Sequence, residues 1–297
     1  MVALLASLLT AALITTPASA VIIDSGDGSG NTTAPADDPG WANVGTRNGL
    51  GVVYLRNGWI LTANHVGIGD VTLDGTTYDH VPGSGIQLDN GDGTFADLLL
   101  FSITPLPPLP DIPLRTNQNL PNGEVTMIGK GRNRGAATDS DDPGVWTAPP
   151  APPATPIPGW YWSPSGVMRW GTNEVTDYWT FSSTGTESFY TLFDGTGSPD
   201  HTSHECQGAG GDSGGGVFAK QGMTWELAGI MYAIAGYNGQ NGSTSALRDN
   251  ATLVADISFY ADDINAITAT VPEPGVVLQY GLCAAVVAGL ARRKQRC

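Results

Sequence analysis

Apolar and polar residues change over in short blocks along most of this chain, and the blocks have the length of strands. Gly51-Val52-Val53-Tyr54-Leu55-Arg56 is followed, across Asn57-Gly58, by Trp59-Ile60-Leu61-Thr62-Ala63-Asn64-His65-Val66. Two apolar runs joined by Asn-Gly predict a hairpin, because both residues tolerate the positive φ angles of the tight turn. Similar runs recur between Gly, Asn, Asp and Pro, and helical periodicity is scarce before residue 254. The pattern predicts an all-β domain. Two longer apolar stretches stand apart from it, Leu4–Ile14 and Gly275–Ala291.

Those two stretches suit export. Residues 1–20 combine the first stretch with Pro17-Ala18-Ser19-Ala20, a small-residue site for cleavage after Ala20. The segment before the apolar core lacks Lys and Arg, and a retained anchor is the alternative. At the other end Pro272-Glu273-Pro274 precedes the apolar stretch 275–291, and Arg292, Arg293, Lys294 and Arg296 follow it. At ~1.5 Å per residue a helix there would span about 26 Å, close to the hydrocarbon thickness of a bilayer. The basic cluster predicts a cytoplasmic C-terminus.

The charge sharpens the picture. With 13 basic and 28 acidic residues the net charge is −15, which excludes nucleic acid and anionic membrane surfaces as partners of the folded part. The apolar fraction of 41% over 297 residues is enough for the core of one large or two small domains. Of Cys206, Cys283 and Cys297, two belong to the tail, so the remaining domain holds one cysteine and no internal disulfide. Residues 21–44, rich in Gly and Asp, are expected to form a flexible leader.

Candidate chemistry centres on Gly210-Gly211-Asp212-Ser213-Gly214-Gly215-Gly216. Glycines around a serine let the backbone bend tightly, so the hydroxyl stands clear while neighbouring N–H groups converge on one point. Acyl transfer needs such a nucleophile and such donors. A plain Gly/Asp/Ser loop is the alternative. His65, one of 4 histidines, ends the second hairpin run and is the candidate base. Asp97 enters the buried-looking run Ala96-Asp97-Leu98-Leu99-Leu100-Phe101, where a carboxylate is expensive unless a partner satisfies it.

Together these residues resemble the trypsin/chymotrypsin-like serine protease family. Thr62-Ala63-Asn64-His65 is similar to its "TAAHC" block, Asp97-Leu98-Leu99-Leu100 to its "DIALL" block, and Gly211-Asp212-Ser213-Gly214-Gly215 to its nucleophile loop, in the family's His, Asp, Ser order. Gly123–Gly131, Trp225–Ile230 and Val254–Ile267 are similar to the strand before the second barrel, a strand after the serine and the closing helix. The likeness spans residues 45–268. It implies two six-stranded antiparallel β-barrels with a C-terminal helix and a site between them. It also implies His65, Asp97 and Ser213 as catalytic triad, the N–H groups of Gly211 and Ser213 as oxyanion hole, a protein or peptide substrate and no cofactor. The tail 271–297 resembles a PEP-CTERM sorting signal of Gram-negative bacteria. That likeness implies an exosortase-type partner, transient membrane anchoring and delivery to the envelope or extracellular matrix; a plain membrane anchor is the alternative.

The chain departs from the family in several places. No Ile-Val-Gly-Gly-type activation site precedes residue 45; the family's amine partner for Asp212 is unassigned, with Val21-Ile22-Ile23, exposed by cleavage after Ala20, as a candidate. The specificity position, six before the serine, falls on Gln207, and Tyr232-Ala233-Ile234 stands in the segment that lines the family's pocket. An isoleucine at 234 is expected to narrow the pocket toward small or medium uncharged side chains. Residues 139–160 hold a Pro-rich insertion ahead of Trp160 and Trp162, aromatics that would pack over a barrel or stack on sugars. His201-Thr202-Ser203-His204-Glu205-Cys206 has ligand-type residues but no second cluster elsewhere, and no metal is expected. Asp89-Asn90-Gly91-Asp92-Gly93 lacks calcium-loop carboxylate spacing and reads as a turn delivering Asp97. A catalytically silent, matrix-anchored binding module and an esterase using the same triad remain alternatives to an endopeptidase.

Overall fold

The computed structural model describes residues 21–120, 122–140, 157–164, 167–237, 240 and 245–271. The export segment 1–20, the proline run up to residue 156 and the tail from Pro272, with its proposed membrane helix, lie outside the described residues. Among the described residues, no helix is long and apolar enough to cross a membrane.

The described chain starts with the two-residue strand β1 (Ile22–Ile23). Then come β2 (Val44–Arg47), β3 (Leu50–Arg56), β4 (Trp59–Thr62), β5 (Val71–Leu73), β6 (Thr76–His80), β7 (Ile86–Asp89) and β8 (Phe95–Thr104). β3 and β4 form the predicted hairpin, with Asn57 and Gly58 at φ 52° and 81°. The order β4-β3-β2-β5-β6-β8 closes through the pairing of β8 with β4, so six strands make a barrel and β7 adds to the edge of β8.

The second half continues with β9 (Glu124–Gly129), β10 (Asn133–Ser140), β11 (Ile157–Ser163), β12 (Arg169–Phe181), β13 (Thr186–Leu192), β14 (Cys206–Gln207), β15 (Gly216–Gln221), β16 (Thr224–Ala235), β17 (Ser245–Leu247) and β18 (Ala251–Asp256). Six of them close as β12-β13-β18-β16-β15-β9, all antiparallel. The expectation of two six-stranded antiparallel barrels therefore holds. β10, β11 and β17 form a separate small sheet. Its β11 starts in the expected insertion and runs three residues past it to Ser163, and Trp160 and Trp162 pack against buried Ile22, Phe193, Ala209 and Ala246.

Alternation places Val53, Leu55, Leu61, Leu98 and Leu100 of the first barrel in one continuous buried cluster with Ile128, Ile230 and Leu253 of the second. Each such side chain contributes about 1.5–3 kcal/mol by leaving water, which holds the barrels against one another. The helix α1 (Ile257–Thr268) starts three residues later than the sequence likeness placed it. Residues 254–256 complete β18, and Asp256 caps the helix by accepting from the Ser258 N–H at 2.9 Å. Asn57 Nδ2 donates to the Thr268 carbonyl and Trp59 Nε1 to that of Thr270, tying the helix end to the first barrel.

Residues 21–44 are not the flexible leader that their composition predicts. β1 pairs antiparallel with β14, Ile22 opposite Gln207 and Ile23 opposite Cys206. Val21, Ile22 and Ile23 are buried, Arg248 forms an ion pair with Asp24, and Arg134 donates to the carbonyls of Ile23 and Asp24. Further along, Asn31 exchanges hydrogen bonds with the Trp170 backbone, and Asp37 meets Lys220 and Trp225. The polar residues that suggest disorder instead find partners across the second barrel. The segment is a strap.

Candidate active site

His65 lies just beyond β4, in a single 3-10 turn from Asn64 to Val66. The strand itself stops at Thr62, slightly short of the predicted position. Asp97 is the third residue of β8, the strand paired with β4, so the barrel's own register sets the two side chains together. Asp97 Oδ2 is 2.7 Å from His65 Nδ1, and Asp97 Oδ1 accepts the His65 backbone N–H at 3.0 Å. The hydrogen bond to Asp97 raises the imidazole pKa above its usual 6.5, partial burial opposes it, and the carboxylate charge adds to the rise. With the ring proton held on Nδ1, Nε2 is left free to accept a proton. The backbone of Asp97 is fixed from the other barrel, where Thr186 Oγ1 accepts its N–H at 2.9 Å. Asn90 braces the preceding turn by donating to the Thr184 carbonyl and accepting from the Tyr260 hydroxyl.

A second pair, His80 and Asp70, has nearly the same local geometry: Nδ1 to Oδ1 at 2.7 Å, with the His80 N–H on the same carboxylate oxygen. It lies exposed on the first barrel. A His–Asp pair alone therefore marks nothing; its surroundings do.

Ser213 comes from the loop ahead of β15. Gly211 has φ +103°, with an added Cβ only 3.0 Å from Gly131 Cα. Gly214 has φ +84°, and a Cβ there would stand 1.9 Å from the Gly51 carbonyl oxygen. Only glycine fits either position. The Ser213 carbonyl accepts the Gly51 N–H at 2.7 Å, which moors the loop to β3, the hairpin partner of the strand leading to His65. Among the described contacts no hydrogen bond joins Ser213 Oγ to His65. Such bonds commonly tighten only when substrate is bound. The N–H groups of Gly211 and Ser213 donate to no described acceptor, while Asp212, Gly214 and Gly215 each donate to a backbone carbonyl.

Asp212, between the two undonated amides, faces the other way. It is buried, and its carboxylate accepts from Gly131 N at 2.7 Å, Ala209 N at 2.8 Å and Val21 N at 3.4 Å. Burial pushes its pKa up to about 6, against those hydrogen bonds and the nearby Arg169 charge. The candidate partner at Val21 thus falls beside Asp212. Glu205 works similarly further back: fully buried, it accepts from Thr202 N, Thr202 Oγ1, Asn173 Nδ2 and Asp194 N, each at 2.9 Å. Burial raises its pKa to about 8. Sequence reasoning weighed Glu205 only as a metal ligand and missed this role. His201 turns toward Asp24, His204 toward Asn31 and Trp170, and Cys206 into the core. Among the described residues no group of three or more potential ligands could hold a metal ion.

Two cavities adjoin the loop. One of about 110 Å³ runs from Ser213 along Gly208–Gly210 and Met231–Ile234, and so includes Tyr232 and Ala233. Another of about 240 Å³ shares Gly208 and Ile234 with it and reaches Gln207. Ile234 Cγ2 is 3.6 Å from where a Gly208 Cβ would lie, an ordinary van der Waals distance.

Two solved structures, both mutants of human heparin binding protein, match this chain with TM-scores of 0.50 and 0.51. Each match has 14% sequence identity and covers 83% of this chain and 98% of the other. The fold is that of the trypsin-like serine proteases. No sequence-family model matches the chain, and neither does any curated protein sequence. The likeness to a trypsin-like fold is therefore carried by topology, and the chemistry must be argued from the residues in place.

Proposed function

We propose that this protein is an exported serine endopeptidase. Ser213 Oγ attacks the peptide carbonyl, and His65 Nε2 takes its proton and later delivers it to the leaving amine. Asp97 holds the imidazole tautomer, and the N–H groups of Gly211 and Ser213 receive the oxyanion. No cofactor is required. The observation that carries the reading is the pair of amide N–H groups flanking Asp212 with no acceptor. Gly211 and Ser213 are only partly buried and Ser213 lines the smaller cavity, so these donors are open to what enters it, and two such donors beside a serine suit a site that meets negative charge.

Val21 supports a priming step within this reading. Cleavage after Ala20 would turn the Val21 N–H into an ammonium beside the buried Asp212 carboxylate, securing the loop that holds both oxyanion donors. The tail beginning at Pro272 would then deliver the enzyme to the envelope through an exosortase-type partner.

A binding module on the same fold is the second reading. The solved neighbours are named for binding heparin, a polyanion, whereas this chain carries a net charge of −15 and would repel one. The discriminating experiment labels the exported protein with a fluorophosphonate probe and assays peptide turnover. Labelling and turnover that both vanish in Ser213→Ala support the endopeptidase. Ester hydrolysis without peptide cleavage would favour an esterase, and the absence of labelling would favour the binding module.

A further inference from the structure

Register brings Asp97 to His65, but neither neighbouring strand holds the Asp97 peptide. The pairing of β4 with β8 runs from Trp59 opposite Ser102 to Thr62 opposite Leu99 and ends there, short of Asp97. On the other side β7 pairs Gln87 with Leu99 and Asp89 with Phe95, and the irregularity between these pairs passes over Asp97. A break of this kind frees a residue from the ladder and lets it be aimed elsewhere. The Asp97 N–H crosses to the second barrel, where Thr186 Oγ1 accepts it at 2.9 Å.

The surroundings keep that hydroxyl in place. Thr186 has no exposed surface, and its Oγ1 shares a 2.6 Å hydrogen bond with Thr184 Oγ1 across the β12–β13 turn. Its carbonyl accepts from Ser188 Oγ at 2.9 Å. Ser188 has one proton to give and gives it there, so Tyr232 is the donor in the 2.8 Å contact between the Ser188 and Tyr232 hydroxyls. Burial and the Asp97 charge both push the Tyr232 pKa up, which keeps that proton on the phenol. Tyr232 follows Met231, whose carbonyl accepts the Gly214 N–H at 2.7 Å. One run of contacts in the second barrel thus reaches from the Asp97 peptide to the residue after Ser213. The apolar interface between the barrels is non-directional and cannot set that spacing finely. A hydrogen bond of fixed length can.

We infer that Thr186 is a positioning residue, whose hydroxyl fixes the Asp97 peptide so that the carboxylate stays in line with His65 Nδ1. The inference rests on the endopeptidase reading for its effect on rate; its effect on the imidazole needs only the His–Asp pair. Without the acceptor the Asp97 N–H is left unpaired, the strand end shifts to satisfy it, and the contact with His65 loosens.

The test compares Thr186→Val, which keeps the shape and loses the acceptor, with Thr186→Ser, which keeps the acceptor and loses a methyl. It follows the rate of fluorophosphonate labelling and the NMR titration of the His65 ring, assigned through His65→Gln. The pair His80 and Asp70, built within the first barrel alone, is the internal reference. In Thr186→Val labelling should slow ~10²-fold, the cost of a misplacement of about 1 Å, and in Thr186→Ser it should stay within about threefold. The His65 pKa, raised by Asp97, should fall toward 6.5 in the valine variant alone, with the His80 signals unmoved. Equal losses in both variants would assign Thr186 to packing and overturn the inference. So would an unchanged His65 titration in Thr186→Val, or His65 and His80 signals that move together. Should the valine variant fail to fold, amide exchange in the unaltered protein decides. The Asp97 N–H, outside both ladders, should exchange at least ~10²-fold more slowly than in open chain, and fast exchange would overturn the inference. A His65 shift in a protein that the probe never labels would uphold the positioning role and remove the endopeptidase reading.

Discussion

In the proposed endopeptidase the two barrels contribute to the site by opposite means. In the first, His65 and Asp97 are placed by adjacent paired strands, and their hydrogen bonds lie at the surface end of the barrel, with His65 exposed. In the second, Ser213 rides on a loop with little regular structure, held from below by the buried acid Asp212, while Glu205 ties together the segments just before it at Asn173, Asp194 and Thr202. A strand pair can position side chains by register alone. A glycine loop cannot, and it needs a buried acid such as Asp212 that gathers backbone N–H groups from distant segments.

Substitutions can set these two modes against each other. The largest effect is expected from Asp97→Asn, which keeps the strands but no longer holds the His65 tautomer; kcat should fall ~10⁴-fold with the thermal midpoint nearly unchanged. A large loss of stability instead would mean that the first barrel is also held by its charged pair. Next comes Asp212→Asn. An amide offers one acceptor oxygen where three N–H groups now converge, so both oxyanion donors loosen and kcat/KM should drop ~10²-fold or more. Its pH signature has a definite sign. With Val21 as an amide, the Asp212 pKa of about 6 lies above the ordinary 3.8, so this group's contribution to stability is full below about pH 4 and is lost as pH rises through 6. Melting curves across that window should slope less in Asp212→Asn, and a freed Val21 ammonium should also flatten them by lowering the carboxylate pKa. Equal slopes in all three forms would separate Asp212 from Val21.

Glu205→Ala is the smallest change in activity per molecule and the clearest in stability. It leaves the Thr202 and Asp194 donors without this acceptor, while Asn173 Nδ2 keeps the Leu192 and Cys206 carbonyls, so the free energy of unfolding measured in denaturant should fall by about 3 kcal/mol. An unaffected midpoint would show that the loop is secured by β1 pairing with β14 alone.

The contrast also explains what could be read in the sequence. His65 and Asp97 were legible because a strand run and a turn signal fix them locally, and the Asn57-Gly58 hairpin carries its own evidence. Ser213 was legible because only glycines permit its surroundings. The strap was not, since Ile22 meets Gln207 and Val21 meets Asp212 across almost the whole domain, and composition reports no such long-range pairing. Glu205 was hidden among ligand-like neighbours. Its value lies in four donors, three of them from outside its own Thr202 turn or from backbone, that no spacing rule encodes.

Cys206 gives the second barrel a clock. Its thiol is fully buried beneath Gly171, where an added Cβ would come within 2.7 Å of Sγ, and burial raises its pKa well above the usual range. It packs with Val21, Ile23, Met127 and Phe189 in the core of the second barrel, which shields it from reagents while that core stays closed. The rate at which this sulfur is alkylated therefore counts how often this part of the second barrel, with β1 on it, opens.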